Sequence, residues 1–102
     1  IIGLYPYLFK ISSDKKTAKN ILGRLELKCG ISSAEYRGED AVYFQWDYPC
    51  IWACTCYFAY EALKNVGLND DAKRIAIKYI NNVNVQFKKT GKIWEKYDVC
   101  WP

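Results

Sequence analysis

The sequence contains no histidine, and this absence narrows the chemistry open to the chain. Without histidine there is no Ser-His-Asp triad, no Cys-His pair and none of the histidine ligands of most catalytic zinc sites. Acid–base chemistry must therefore come from Asp, Glu, Tyr, Lys or Cys side chains. Methionine is absent as well. A chain without an initiator methionine leads us to expect a piece of a longer polypeptide.

Long apolar runs and concentrated charge are also missing. There is no signal-peptide pattern and no stretch long enough to span a membrane, so we expect no membrane partner. The net charge is only +4, and the lysines are spread along the chain. Nucleic-acid-binding proteins usually gather positive charge on one face or stripe. We therefore expect a solvated surface and no nucleic-acid partner.

The five cysteines do not form a recognisable metal motif. Cys50, Cys54 and Cys56 follow a C-x3-C-x-C pattern, which is not a standard zinc spacing, and on a helix only the first two share a face. We interpret the cysteines as mostly buried, small apolar residues of a protein in the reducing cytosol, and predict a cytoplasmic location. A thiolate metal cluster is the alternative.

The composition predicts one small folded domain that is rich in aromatic residues. The chain has 102 residues, of which 51% are hydrophobic and 17% aromatic, enough to fold and form a single domain. Such an aromatic content favours a surface that binds a ring-shaped molecule, or else a helical core built from large side chains. Composition leaves both open.

The first part of the chain predicts one helix. In residues 1–11, Pro6 argues against a helix, and we expect this apolar segment to lie buried against a neighbour. A helix is predicted to begin at Ser13 or Asp14, both good N-cap residues, and to end at Gly30. Its apolar face follows a spacing of three to four residues: Ala18, Ile21, Leu22 and Leu25.

Two further helices are predicted in the second half. One runs from about Cys50 to Val66 behind Pro49, and it is apolar nearly all round, so it should be buried on most sides. The next begins at Asn69 or Asp70 and extends to about Thr90, where Gly91 ends it. Its polar face is predicted to include Lys73, Arg74, Lys78, Asn82 and Gln86.

This alternation of outer, inner and outer helices indicates an all-α fold of antiparallel helical hairpins. Residues 31–48 read as a connection, and the Lys92–Asp98 segment as extended or irregular. The inner helix needs more cover than two helices provide, so neighbouring hairpins are expected beyond this chain.

Two carboxylates stand out as candidates for chemistry. Asp47 precedes Pro49, where it is either a helix cap or a ligand for sugar hydroxyls beside aromatic rings. Glu95 follows the last helix, where it is either a general base or an exposed glutamate paired with Lys92 or Lys96. From the residues alone, the helix cap is favoured for Asp47 and the exposed, paired glutamate for Glu95.

Two motifs resemble the trehalases and trehalase-like glycoside hydrolases. Residues 45–54, QWDYPCIWAC, match the family pattern Q-W-D-x-P-x-G-W-x-P except at Ile51 and Cys54. Residues 90–99, TGKIWEKYDV, contain its E-K-Y-D-V segment. LYPYLFKIS at 4–12 and GISS at 30–33 are similar to further family segments, so the resemblance covers nearly the whole chain.

The resemblance implies an (α/α)6 toroid, of which residues 1–102 are a single partial domain, the C-terminal part of the catalytic barrel. It implies an inverting glycoside hydrolase that acts on trehalose or a related α-glucoside, with no cofactor or metal. Glu95 falls on the catalytic base, and the general acid, an Asp, lies in a missing N-terminal part. The implied substrate-binding residues are Gln45, Trp46, Asp47 and Trp52, with Trp52 as a wall of the pocket.

The alternative function is a non-catalytic helical interaction module. It would self-associate through an apolar face of the inner helix, formed by Trp52, Tyr57, Phe58 and Tyr60. A barrel fragment predicts the same exposed face, so association alone does not separate the two functions.

Overall fold

A computed structural model of the chain describes residues 1–98. Within them the protein has four α-helices and two short antiparallel ribbons of two strands each. Val99 of the second motif and Cys100 lie outside the described residues.

The N-terminal segment contains a short helix in spite of its proline. A 3₁₀ turn at Ile2–Leu4 leads into α1, Tyr5–Leu8. Pro6 lies in the first turn of α1, where its missing N–H removes no helical hydrogen bond. Leu4 and Tyr7 are buried, but the exposed apolar residues of the segment are Ile2, Phe9 and Ile11. Our expectation of no helix was therefore wrong, and the segment is buried against its neighbours only in part.

Helix α2, Lys15–Leu25, begins at the predicted cap and ends earlier than predicted. The Asp14 carboxylate accepts hydrogen bonds from the Thr17 N–H at 3.2 Å and the Thr17 hydroxyl at 2.8 Å. After Leu25 the chain turns extended, and β1, Glu26–Leu27, pairs antiparallel with β2, Gly30–Ile31. The ribbon explains why the helix stops before Gly30.

Helix α3, Ala53–Asn65, begins three residues after the predicted start. Ile51–Trp52 forms strand β3, which pairs with β4, Lys96–Tyr97. Pro49, which follows a cis peptide bond, therefore precedes a strand and not a helix. One face of α3 is buried, through Thr55, Cys56, Ala59, Ala62 and Leu63. Burial on most sides was therefore wrong for this chain, since Tyr57 on another face is 60% exposed.

Helix α4, Asn69–Thr90, has the predicted bounds. Gly91 ends it with φ of 71°, a left-handed conformation that costs glycine little, and the Gly91 N–H donates to the Phe87 carbonyl at 2.8 Å. The buried residues of α4 are Asp71, Ala72, Ile75, Asn82 and Gln86. Placing Asn82 and Gln86 on the solvent face was wrong, because the buried stripe continues through both.

One core joins all four helices. It contains Leu4 and Tyr7 from the N-terminus, and further residues from every later helix and from β2: Ala18, Leu22, Leu25, Ile31, Cys56, Ala59, Ala62, Leu63, Ala72 and Ile75. The short turn after α3 folds α4 back against it, as in an antiparallel hairpin. The mostly helical architecture agrees with the predicted all-α class, and closure into a toroid stays a prediction. None of the helices in residues 1–98 combines the length and the apolar character of a membrane span.

Candidate functional site

The two sequence motifs meet in the ribbon formed by β3 and β4. Ile51 lies opposite Tyr97, and Trp52 lies opposite Lys96. Glu95 directly precedes β4, the strand that pairs with Ile51–Trp52 of the first motif. Residues more than forty positions apart in sequence are thereby held at one end of the α3–α4 hairpin.

Two tryptophans of the first motif form a stacked pair. The rings of Trp46 and Trp52 lie 3.7 Å apart between centroids, at an interplanar angle of 7°. Trp52 is buried, and its indole N–H donates to the Gln45 carbonyl at 2.9 Å. Trp46 remains half exposed. One face of the Trp46 ring thus packs on the buried Trp52 ring. A direct contact of Trp52 with a sugar stays a prediction.

Asp47 is held by its own loop and does not cap a helix. Its Oδ2 atom accepts the Phe44 N–H at 3.0 Å and pairs with Arg37 Nη2 at 3.3 Å. Arg37 Nη2 also donates to the Val42 carbonyl at 3.0 Å. Trp52, five residues later, occupies the N-cap position of α3. The cap interpretation was therefore wrong, and within residues 1–98 these side-chain contacts all use Oδ2 and leave Oδ1 as an acceptor.

Glu95 projects from a short anchored segment. The buried Tyr97 packs edge-to-face against Tyr79, with 6.2 Å between ring centroids, and its hydroxyl accepts the Trp94 N–H at 3.1 Å. The neighbouring side chain Lys96 pairs with Asp98 at 3.1 Å. Glu95 is exposed and makes no ion pair within residues 1–98. The alternative that Glu95 pairs with a neighbouring lysine was therefore wrong.

The candidate residues line two different clefts. Glu95 lines a cleft of about 520 Å³ together with Gln86, Thr90, Trp94, Lys96, Tyr97 and Asp98. Trp46 lines a second cleft of about 730 Å³ between the N-terminal segment, α2 and α3. Gln45 and Asp47 are not among the residues that line either cleft. The described residues thus place the two motifs side by side without closing one shared pocket.

Burial and the charged side chains of both motifs influence the pKa of the Cys50 thiol. Burial raises the pKa of its thiol, the Lys96 ammonium opposes that shift, and the carboxylates of Asp98 and Asp47 add to it. A buried, protonated thiol is a poor nucleophile, so we assign it no catalytic role.

The other cysteines largely follow the predicted burial. Cys56 is buried and Cys54 is exposed. Cys29 is buried but disulfide-bonded, which departs from the free thiol expected in a reducing cytosol. Burial also raises the pKa of the Cys56 thiol to about 11. Residues 1–98 contain no group of three or more Cys, Asp or Glu side chains placed to hold a metal ion, which leaves the thiolate-cluster alternative without support in this part of the chain.

Two residues beside the motifs were missed by the sequence interpretation. Arg37 lies ten residues before its partner Asp47 in an irregular loop, where no periodic pattern indicates it. Gln86 had a usable signal, because Ile75, Tyr79, Asn82 and Gln86 recur at helical spacing and continue one face of α4. Its polar type led us to place it in solvent.

Known proteins match this chain over most of its length. The family model described as Trehalase matches residues 1–101. The cytosolic neutral trehalase of Neurospora crassa is 35% identical over 101 residues, which cover 90% of this chain and 14% of that protein. The periplasmic trehalases of Salmonella paratyphi B and Salmonella newport are each 38% identical over 55 residues, 54% of this chain and 10% of theirs.

The chain therefore spans about a seventh or less of the length of these relatives. The family match extends over the whole region that carries both motifs, and it agrees with the resemblance that those motifs indicate. On this evidence the chain belongs to the trehalase family.

Proposed function

We propose that the chain is the C-terminal part of the catalytic barrel of an inverting glycoside hydrolase that cleaves trehalose or a related α-glucoside. The observation that carries the proposal is the pairing of Ile51–Trp52 with Lys96–Tyr97, because it brings the end of the first motif against the strand that directly follows Glu95. Family membership supports the substrate class, since the matching relatives are named trehalases.

In this mechanism Glu95 is the general base. It takes a proton from a water molecule whose oxygen attacks the anomeric carbon, while the bond to the leaving oxygen breaks. An acid outside this chain protonates that oxygen, and the two carboxyl groups must stand roughly 6.5–9.5 Å apart to leave room for the water. The exposure of Glu95, and its lack of an ion pair within residues 1–98, leave its carboxylate available for this role.

Gln45, Trp46, Asp47 and Trp52 form the substrate-binding part of the proposal. The half-exposed ring of Trp46 offers an apolar face on which a pyranose ring can stack, and Trp52 keeps that ring in place. Asp47 Oδ1 offers an acceptor for a sugar hydroxyl, while Arg37 holds Oδ2. Ile51 is buried in β3, so it fills space that the glycine of the family pattern would leave open.

The test is a chimera in which residues 1–102 replace the matching segment of the Neurospora trehalase. We expect the chimera to hydrolyse trehalose, and Glu95→Gln to lower kcat roughly 10²- to 10⁴-fold. The matched control is Glu39→Gln, an exposed glutamate outside both motifs and both clefts that should leave kcat unchanged. A folded chimera in which Glu95→Gln retains full turnover contradicts the proposal.

The isolated chain should show no turnover, because it holds the base without the acid. Hydrolysis of trehalose by the purified chain that Glu95→Gln abolishes would show instead that the chain carries a complete site. We propose a cytoplasmic location because the relative that matches 90% of the chain is named a cytosolic enzyme. The relatives named periplasmic match about half of the chain.

A self-associating helical module remains the second proposed function. The observation that favours it is the apolar surface on α3 and α4, where Tyr57, Ile80 and Phe87 are 60%, 62% and 49% exposed. Trp52, which we predicted on the associating face of the inner helix, is buried beneath Trp46 and does not contribute to this surface.

A further inference from the structure

Gln86 is a buried amide in the wall of the Glu95 cleft. It lies one turn before the end of α4 and is 4% exposed. Its side-chain nitrogen Nε2 is buried and has no hydrogen-bond partner among the described residues. Buried N–H groups in native proteins are almost always paired with protein, ordered water or ligand, because leaving one unpaired is costly. The position of Gln86 therefore calls for an acceptor inside or beside this cleft.

The other polar groups around the cleft do not provide that acceptor. Asp98 is engaged by Lys96 at 3.1 Å, and the Tyr97 hydroxyl accepts the Trp94 N–H at 3.1 Å. Glu95 makes no ion pair within residues 1–98 and lines the same cleft as Gln86. The cleft thus presents an amide donor and a carboxylate acceptor, each without a partner in this part of the chain.

A hydroxyl group has the chemistry to meet both a donor and a carboxylate. A hydroxyl oxygen can accept from an amide N–H while its own proton is donated to a carboxylate. The cleft has a volume of about 520 Å³. One water needs a cavity volume of only about 10–15 Å³, so the cleft has room for several waters or for part of a sugar. Gln86 Nε2 is itself buried, so contact with it requires a side chain of the cleft wall to move. Trp94, which lines the same cleft, is half exposed.

We propose that Gln86 is a positioning residue of the Glu95 cleft, whose side-chain amide donates to the oxygen of a water or sugar hydroxyl that Glu95 also contacts. The proposal rests on the role of Glu95 in the proposed function. It assigns Gln86 no proton transfer, because an amide does not titrate in the relevant range. Its effect is to hold the oxygen in place for the carboxylate.

Asn82 provides a matched control within the same helix. Its side-chain nitrogen Nδ2 is likewise buried and without a hydrogen-bond partner among the described residues, and it lies one turn before Gln86. Asn82 is not among the residues that line the Glu95 cleft. A merely structural penalty would affect both amides alike, while positioning in the cleft concerns Gln86 alone.

The first test follows the two side-chain amide signals by ¹⁵N nuclear magnetic resonance on the full 102-residue chain. In the free protein, we expect magnetisation transfer from a slowly exchanging water molecule to the Gln86 side-chain amide protons. We call this the water contact of Gln86. Added trehalose or glucose should shift the Gln86 signals and remove that contact if a sugar hydroxyl replaces the water. The Asn82 signals should not respond to either sugar.

The second test compares Gln86→Leu with Asn82→Leu. If a sugar hydroxyl is the acceptor, Gln86→Leu should weaken binding of the responding sugar roughly threefold to tenfold, the worth of one hydrogen bond, while Asn82→Leu leaves it unchanged. If water is the acceptor, the wild-type water contact decides, because Gln86→Leu removes the amide protons that report it. A Gln86→Leu chain that does not fold leaves the wild-type signals to decide.

A wild-type Gln86 amide with neither a bound water nor a response to sugar would overturn the proposal. That result is separable from failure of the proposed function. The chimera with Glu95→Gln tests the base by turnover, whereas the water contact of Gln86 is read in the free chain without any turnover.

Discussion

At the residue scale, the two stacked tryptophans have different roles: Trp52 anchors the segment, and Trp46 exposes a ring surface. Trp52 is buried, and its indole N–H is satisfied by the Gln45 carbonyl, so it anchors the segment to the core. Trp46 covers it and keeps half of its own surface exposed. The two side chains should therefore respond differently to truncation.

We expect Trp52→Ala to lower the free energy of unfolding by about 3–5 kcal/mol, because it leaves a large cavity under Trp46. Trp46→Ala should cost about 1 kcal/mol, mainly the stacking contact. Denaturant unfolding followed by circular dichroism measures both. Trp94→Ala, which removes another half-exposed tryptophan outside the stack, is the control for loss of surface area. Equal losses for Trp52→Ala and Trp46→Ala would contradict this division.

At the scale of elements, a network of charges ties β1 and α2 to α4. Arg74 on α4 bonds Glu26 of β1 at 2.7 Å and Asp71 at 2.6 Å, and Lys19 of α2 reaches Asp71 at 2.9 Å. Lys78 also pairs with Glu26. Hydrogen bonds from Lys19 and Arg74 outweigh burial and hold the pKa of Asp71 below its usual value. The network holds the outer side of α4 in register with the ribbon.

The network predicts an acid-dependent loss of stability. The hydrogen bond from Arg74, with that of Lys78, holds the pKa of Glu26 below its ordinary 4.5. A lowered folded-state pKa stabilises the protein above the unfolded-state value, and this stability is lost as pH falls through the folded-state pKa.

Glu26→Gln should therefore lower the free energy of unfolding at pH 7 by about 1–3 kcal/mol and flatten its dependence on pH below 4.5. Denaturant unfolding at a series of pH values checks both effects. Glu39→Gln, at an exposed turn position, should follow the wild-type curve. Parallel pH curves for wild type and Glu26→Gln would show that the network carries no pH-dependent stability.

At the scale of the whole molecule, an apolar surface on α3 and α4 is left uncovered by the other residues of the 1–98 range. Tyr57, Ile80 and Phe87 contribute to it, and Tyr79 and Ile80 line one groove between α3 and α4 and another along α4. Both proposed functions make this surface an interface, either with further hairpins of a barrel or with a second copy.

We predict that the isolated chain associates through this surface. Light scattering should give a mass above that of a monomer, and Ile80→Lys combined with Phe87→Lys should shift it towards the monomer, because burying lysine at an interface is costly. Ile77→Lys is the matched control, since Ile77 is exposed on α4 in a different cleft, beside Asp70 and Lys73. A compact monomer with one sharp thermal transition would instead show that these helices need no further cover.

The sequence by itself determined the features that depend on neighbours within a few residues. Asp14 caps α2 and Gly91 ends α4 because capping hydrogen bonds and backbone conformation are local. The two motifs likewise indicated the trehalase family and the candidate residues Gln45, Asp47 and Glu95, since a motif is read without knowing its surroundings.

Only the tertiary structure decided where those residues lie relative to one another. The β3–β4 ribbon, the burial of Trp52 and the Arg37–Asp47 pair each depend on a partner distant in sequence or in an irregular loop. The same applies to Gln86, whose polarity predicted solvent but whose place on α4 follows the buried stripe. Packing overrides polarity there, because a helix buries whichever residues face its neighbours.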